Sequence, residues 1–472
     1  MILLSESLSV THSDDGGPKV EVLRTTRGTC PVCIEVVDAR LIIDSGQVLL
    51  EKNCPEHGKN RALLSESPAY FSELLEFYHD IMPKNLPQRD FILRLTARCN
   101  MRCPICLASS DQFDEEDLPK EQLAAFLKGR GRRLKLDLMG AEPTVRDDLA
   151  EIIRMADKGG HITALHTNGL QIADPDRLKE LVDAGLKEVH LQFDGFEDEH
   201  DLVLRGRPMA KAREKILGSL EQHGVATDLV VTILRGLNEN QMEPVLAYAA
   251  EHPFVKEVFY LGCRALGRAT EDFADQVVAP DELIDDLERE TSGKIARDDV
   301  RIFQKLYFAL LVALRVRKCF YIHHYIVIRT KDGYRPLSQQ MDLTYLEPRL
   351  ERFRRLVKRG RSRLLTVPYL LFHCGISVLR KGGLTLLADG VLLSVLLALG
   401  FDLSRIKRRI ILVGFISACD PWIHDVEISA NCGKGEVATD IGVHEAGADA
   451  NVERERMHLM AEKKSDRIHG IT

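Results

Sequence analysis

The sequence predicts an α/β fold: a partial (β/α)6 barrel preceded by an N-terminal metal-binding ribbon and followed by a C-terminal α/β auxiliary domain. Three observations carry that expectation. Residues 88–290 alternate short apolar runs with amphipathic stretches six times over, the pattern of parallel βαβ units with right-handed crossovers. Residues 20–85 place two ligand pairs, Cys30/Cys33 and Cys54/His57, on either side of a hairpin pattern. A CxxxCxxC run, Cys99-Asn-Met-Arg-Cys103-Pro-Ile-Cys106, follows the first apolar run of the repeat.

Residues 1–19 read as a disordered tail, because Ser-Asp-Asp-Gly-Gly-Pro has no apolar periodicity. In residues 20–85, Cys30-Pro-Val-Cys33 sets two sulfurs on one tight turn. Strand-like runs at 40–43 and 47–52 then reverse at Asp44-Ser-Gly, and Cys54-Pro-Glu-His57 returns to complete a tetrahedron. This arrangement resembles a zinc ribbon or rubredoxin-like knuckle. Zinc and iron both accept such a donor set, and four protein ligands leave no open position, so the role is structural.

Residues 86–295 form the barrel, with strands expected at 91–96, 134–139, 162–166, 188–193, 228–233 and 257–261. Helices are expected at 119–128, 146–158, 176–184, 210–222 and 239–251. Barrels of this kind place chemistry at the strand exits. The first exit holds the cysteine triad, the second Gly140-Ala-Glu-Pro-Thr144, and the third Thr167-Asn-Gly169. The fourth exit holds Asp194-Gly195, and the fifth runs into Arg235-Gly-Leu-Asn238.

Three thiolates on one short loop can hold three irons of a four-iron cluster and leave the fourth open to chelation, whereas four cysteines would mainly move electrons. A zinc site would need a second ligand pair at a matching distance, and the next cysteine after Cys106 is Cys263.

Composition agrees with an enzyme. The chain has 472 residues, enough for two or three domains, and its 45% hydrophobic content is ordinary for a globular protein. The first ten residues lack a basic start and a long apolar stretch, so no signal peptide is read and a cytoplasmic location is expected. Eleven cysteines in a reducing compartment point to metal ligation rather than disulfides. Charge is uneven: residues 301–420 carry 22 Lys/Arg against 7 Asp/Glu, a local +15 in a chain of net −7. Such a region meets something anionic or is a solvated basic face, and no groove-reading or base-stacking motif argues for nucleic acid.

The triad with Ile105 before its last cysteine, together with Gly140-Ala-Glu-Pro, resembles the radical SAM superfamily. That resemblance implies a 4Fe-4S cluster on Cys99, Cys103 and Cys106, with S-adenosylmethionine chelating the open iron. It implies further that Gly140, Ala141 and Glu142 meet the methionine amine. Asn168, Asp194 and Asn238 join them as cofactor-binding candidates, the last two for ribose or carboxylate. Ala141 departs from the family pattern, which has a second Gly there. The implied chemistry is one-electron cleavage of the sulfonium to a 5′-deoxyadenosyl radical that abstracts hydrogen from an unactivated C–H bond. A low-potential donor such as ferredoxin or flavodoxin would supply the electron.

A narrower resemblance adds the ribbon, Leu191-Gln-Phe-Asp-Gly-Phe and Leu204-Arg-Gly, and points to the archaeal tetraether lipid synthases and related pterin methyltransferases. It covers the chain to about residue 270 and fades in the segment 296–472. There Cys319, Cys374, Cys419 and Cys432 could converge on an auxiliary cluster or serve as buried small hydrophobes, with Cys263 a separate candidate at the barrel mouth.

Residues 384–399 form an apolar run of about 16, short of the roughly 20 needed to span a bilayer. With basic stretches at 349–363 and 405–409, it allows peripheral contact with an anionic membrane. Of the adjacent His323 and His324, at most one faces any given site. Three functions follow: radical chemistry on a lipid or other long apolar substrate with C–C bond formation, one-carbon transfer to a pterin-like small molecule, or a non-catalytic iron-sulfur protein.

Overall fold

The computed structural model describes residues 20–83, 86–108, 110, 116–131, 133–264, 267–269, 276–383, 385–386, 388, 409–417, 420–438 and 442–444. The expected tail, Cys419 and nearly all of the apolar run 384–399 and the basic stretch 405–409 lie outside these residues.

Strands β1 (Glu21–Thr29), β2 (Val36–Asp44), β3 (Gln47–Cys54) and β4 (Gly58–Ser65) form an antiparallel sheet in chain order. The β2–β3 turn uses Ser45 at φ 52° and Gly46 at φ 83°, the left-handed pair that matches the twist of a two-residue hairpin. Helix α1 (Pro68–Ile81) follows, burying Tyr70, Phe71, Leu74, Leu75 and Tyr78.

The barrel then runs β5 (Asp90–Arg94), α2 (Lys120–Lys128), β6 (Lys135–Met139), α3 (Leu149–Lys158), β7 (Ile162–Thr167), α4 (Pro175–Asp183) and β8 (Glu188–Gln192). It continues with α5 (Asp198–Arg205), α6 (Ala210–Gln222), β9 (Ala226–Ile233), α7 (Met242–Glu251) and β10 (Val255–Gly262). Strands β5 to β10 pair in parallel in chain order, as the six repeats predict. Helix α5 is an addition. It is polar along much of its length and ends at Gly206, whose φ of 72° stops the helix.

The C-terminal segment supplies α8 (Pro280–Glu290), α9 (Arg297–Leu314), β11 (Ile322–Thr330), β12 (Gly333–Pro336), α10 (Leu343–Lys358), α11 (Arg363–Arg380), β13 (Ile410–Ser417), β14 (Gly435–Ala438) and β15 (Gly442–His444). Its strands do not build a sheet of their own. β13 joins β10 in parallel and β14 joins β5 in parallel, so both edges of the six-stranded core are covered. The continuous sheet has the order β12-β11-β13-β10-β9-β8-β7-β6-β5-β14-β15. The division expected after residue 295 is therefore not a break in the sheet.

The ribbon is tied to this C-terminal segment. Arg24 pairs with buried Asp425 at 2.6 Å, Thr26 donates to the same carboxylate at 2.9 Å, and Lys52 donates to the carbonyls of Pro421 and Trp422. Two of the basic residues on α10 are neutralised within the protein. Arg354 pairs with Glu76 and Asp80 of α1, and Lys358 pairs with Asp80. No described helix is long and apolar enough to cross a membrane.

Candidate functional site

The exits of β5 to β10 surround a cavity of about 340 Å³ whose walls include Cys99, Cys103, Cys106, Gly140, Glu142 and Asn168. The cysteine loop is clamped to the exit of β6 by main-chain bonds. Ala141 N donates to Thr96 O at 2.8 Å and Glu142 N to Arg98 O at 3.0 Å. Gly140 permits this approach, because a Cβ there would stand 2.4 Å from Thr96 O. At the far end Arg268 N donates to Cys106 O at 2.9 Å and its guanidinium reaches Cys103 O.

Ligand atoms poised for a single ion lie within 4.8 Å of one another at three places among the described residues, and the Cys99/Cys103/Cys106 loop is not one of them. Three thiols on one loop that do not all lie so close suit a multi-iron cluster better than one cation. Burial pushes the Cys99 thiol up to about 12 and raises Cys103 against the opposing guanidinium of Arg205, so iron must displace protons that would otherwise stay. The donor set fits the cluster.

The cofactor-binding candidates divide. Gly140, Ala141, Glu142 and Asn168 line the cavity. Glu142 is 1% exposed, and both its oxygens are already engaged. Oε1 accepts from Thr144 N, Thr144 Oγ1 and Thr167 Oγ1, and Oε2 accepts from Asn168 N at 2.8 Å. Its carboxylate thus buckles the exits of β6 and β7 together, and burial raises it above the ordinary carboxyl range despite those bonds. Asn168 Nδ2 donates to Asn100 Oδ1 at 2.7 Å, carrying the same register to the cysteine loop.

Asp194 and Asn238 stand apart from these four. Neither lines the cavity, and each spends its polar atoms inside the protein. Asp194 is held by Arg205, Arg213, Gln192 and Thr232 N. Asn238 accepts from Leu234 N and donates to the carbonyls of Asp194 and Thr232. Their role here is to fix the exits of β8 and β9.

The sequence reading did not single out the residues that make the cavity polar. Arg94 pairs with Glu436 at 3.1 Å, Arg264 pairs with Asp420 at 2.8 Å, and His166, His190, Gln192 and Arg205 complete the wall. Polar residues at alternate positions inside otherwise apolar strands were the available signal for His166, His190 and Gln192. No local signal marks Glu436, which arrives on β14, whereas Arg205, which arrives on α5, belongs to the Leu204-Arg-Gly motif.

In the ribbon, ligand atoms of Cys30, Cys33, Cys54 and His57 lie within 4.8 Å of one another, as the pairing predicts. The described C-terminal cysteines, Cys319, Cys374 and Cys432, do not assemble in this way. Cys319 is buried in the core, and Cys374 packs on α11 against it. Among the described residues none of the three belongs to a group of three potential ligands. Cys263 does line the cavity. His323 bonds Tyr70 OH at 2.7 Å and His324 stacks on Tyr307, so neither reaches the site.

Residues 93–249 match the radical SAM superfamily and residues 22–66 match the HMPTM N-terminal zinc ribbon domain. The barrel is a radical SAM domain behind a zinc ribbon, and that domain implies a 4Fe-4S cluster and S-adenosylmethionine. The chain is 28% identical over 306 residues to the 7,8-dihydro-6-hydroxymethylpterin dimethyltransferase of Methanocaldococcus jannaschii, covering 58% of this chain and 60% of that one. It is 29% identical over 204 residues to the GTP 3′,8-cyclase of Pelotomaculum thermopropionicum, covering 41% and 61%. The chain thus spans about 60% of the length of these curated relatives. Among solved structures, Streptococcus suis SuiB bound to its precursor peptide SuiA aligns with a TM-score of 0.39 at 14% identity, over 49% of this chain and 50% of that one.

Proposed function

We propose that this chain is a radical SAM enzyme that abstracts hydrogen from a polar, heteroatom-rich small molecule of the fused-ring pterin or purine class. The observation that carries the reading is the set of polar groups Arg94, His166, His190, Gln192, Arg264 and Glu436, which face the space beside the cysteine loop from an otherwise largely apolar cavity wall. A long acyl chain would leave His166 Nε2 without a hydrogen-bond partner, at about 1–3 kcal/mol, whereas a ring bearing nitrogens and oxygens can supply one. The relatives are consistent in kind, since one acts by name on a pterin and the other on GTP.

A four-iron cluster with S-adenosylmethionine on its open iron supplies reductive C–S cleavage and a 5′-deoxyadenosyl radical. The protein's own residues bind and orient. Cys99, Cys103 and Cys106 hold the cluster, and the backbone of Gly140 to Glu142 shapes the adjoining rim. Arg205 sets a buried positive charge near Cys103. Arg94 and Arg264 offer donors to an anionic or carbonyl-bearing substrate.

The test uses the full chain, reconstituted anaerobically with iron, sulfide, dithionite and S-adenosylmethionine. A reduced pterin should raise 5′-deoxyadenosine formation above its substrate-free level, and dispersed ether lipid should not. Stimulation by lipid alone would reverse the substrate reading, and no 5′-deoxyadenosine with the cluster present would sink the enzyme reading itself.

A further inference from the structure

Deeper in the barrel than the cysteine loop, the wall gathers a second set of donor atoms. Asp137 lies on β6, His166 on β7 and His190 on β8. The β7–β8 register pairs His166 directly with His190, and their rings stack with centroids 4.2 Å apart. Asp137 Oδ1 stands 3.7 Å from His166 Nε2, and one ligand atom from each of the three residues lies within 4.8 Å of the others.

From this geometry we infer that Asp137, His166 and His190 form a binding site for a divalent transition-metal ion. Asp137 is 1% exposed and His190 7%; Asp137 Oδ1 and His166 Nε2 have no hydrogen-bond partner, and His190 Nε2 has only the Asp228 carboxylate beside it at 3.2 Å. Buried polar atoms left in this way are costly, and a cation satisfies all of them at once. Lys434 pairs with Asp137 through Oδ2, which leaves Oδ1 directed at His166.

The surroundings are rich in oxygen donors. Asp228 Oδ2 is 3.2 Å and Glu188 Oε2 3.9 Å from His190 Nε2, while Lys135 offsets Glu188 at 2.9 Å. Two imidazoles and a carboxylate, with no thiolate, suit zinc, iron(II), cobalt(II) or manganese rather than a soft monovalent ion.

Three protein ligands leave coordination positions open, and His166 and His190 both line the cavity. An ion here would take an oxygen or nitrogen donor from the substrate. That last step rests on the polar-substrate reading above, whereas the binding of the ion does not.

Cobalt(II) is the probe, added to full-length protein in which Cys99, Cys103 and Cys106 are replaced by Ser so that no cluster iron competes. One cobalt should enter the ribbon and show thiolate-to-metal charge transfer, and one more should bind with nitrogen and oxygen ligands only. His166→Ala with His190→Ala should abolish the second and keep the thiolate band, whose persistence reports an intact ribbon. Asp137→Asn should weaken the second cobalt at least about tenfold while the circular dichroism of the chain is unchanged. The inference fails if the parent protein binds no cobalt beyond the ribbon's, or if the second cobalt survives the double histidine replacement. The substrate reading is judged separately, by 5′-deoxyadenosine formation.

Discussion

Arg205 grips Asp194 through two parallel bonds, Nε to Oδ2 and Nη2 to Oδ1, each 2.7 Å long. Both side chains are buried, and the guanidinium also lowers the neighbouring Cys103 thiol against the effect of burial. One side chain on α5 therefore fixes the exit of β8 and sets charge beside the cysteine loop. Arg205→Lys keeps the charge and loses the fork. The expected cost is about 1–3 kcal/mol, seen as a lower urea midpoint together with fewer irons retained per chain after desalting.

Asp194 also makes stability depend on pH. Burial pushes its carboxyl up, but Arg205 and Arg213 outweigh burial and hold it at about 2, below its ordinary 3.8. A depressed carboxyl stabilises the fold above the unfolded value and loses that contribution as pH falls through the folded one. About 2 kcal/mol should disappear between roughly pH 4 and pH 2. Urea midpoints across that window should fall less steeply in Asp194→Asn than in its parent.

Iron content separates the cysteines. Replacing Cys99, Cys103 and Cys106 by Ala should remove the cluster iron from reconstituted protein. Replacing Cys374 by Ala should leave iron and sulfide unchanged, since Cys374 packs on α11 against the core and belongs to no group of ligands. Loss of four irons in the Cys374 variant would reinstate an auxiliary cluster.

Gly140→Ala tests the clamp between β6 and the cysteine loop. The added methyl would lie 2.4 Å from Thr96 O, so the backbone that leads into Cys99 must shift. The expected loss is about 1–3 kcal/mol. S-adenosylmethionine should bind more weakly in equilibrium dialysis, and the ribbon metal should stay in place. Unaltered affinity would mean that the loop moves freely.

The ribbon metal should be structural. Chelation or Cys30→Ser should remove one metal ion by elemental analysis and loosen residues 20–66 toward protease. The Arg24–Asp425 and Thr26–Asp425 contacts then lose the sheet that presents them. Resistance to protease after complete metal removal would show that the four-stranded sheet holds without it.

Much of this arrangement could be read from local pattern. The hairpin at Asp44-Ser-Gly, the four ribbon ligands and the six strand-helix repeats each rest on a few adjacent residues and appear where expected, with barrel-strand limits shifted by at most two positions and the first hairpin strand beginning four residues earlier, at Val36. The cysteine loop and the Gly140 to Glu142 exit are likewise contiguous motifs. The roles of Asp194 and Asn238 were not readable in this way, because a polar residue at a strand exit looks the same whether it meets a ligand or a buried arginine.

Composition, spacing and periodicity were sufficient for the class of fold, the ribbon, the three-cysteine loop and the face on which they meet, since all of these follow from short-range repeats. Tertiary pairing alone decided that β13 and β14 cover the two edges of the core, that Glu436 reaches Arg94, and that Asp137, His166 and His190 stand together. The reason is distance along the chain. Glu436 and Arg94 are 342 residues apart, and no period within a helix or a strand encodes which sheet edge a late strand will complete.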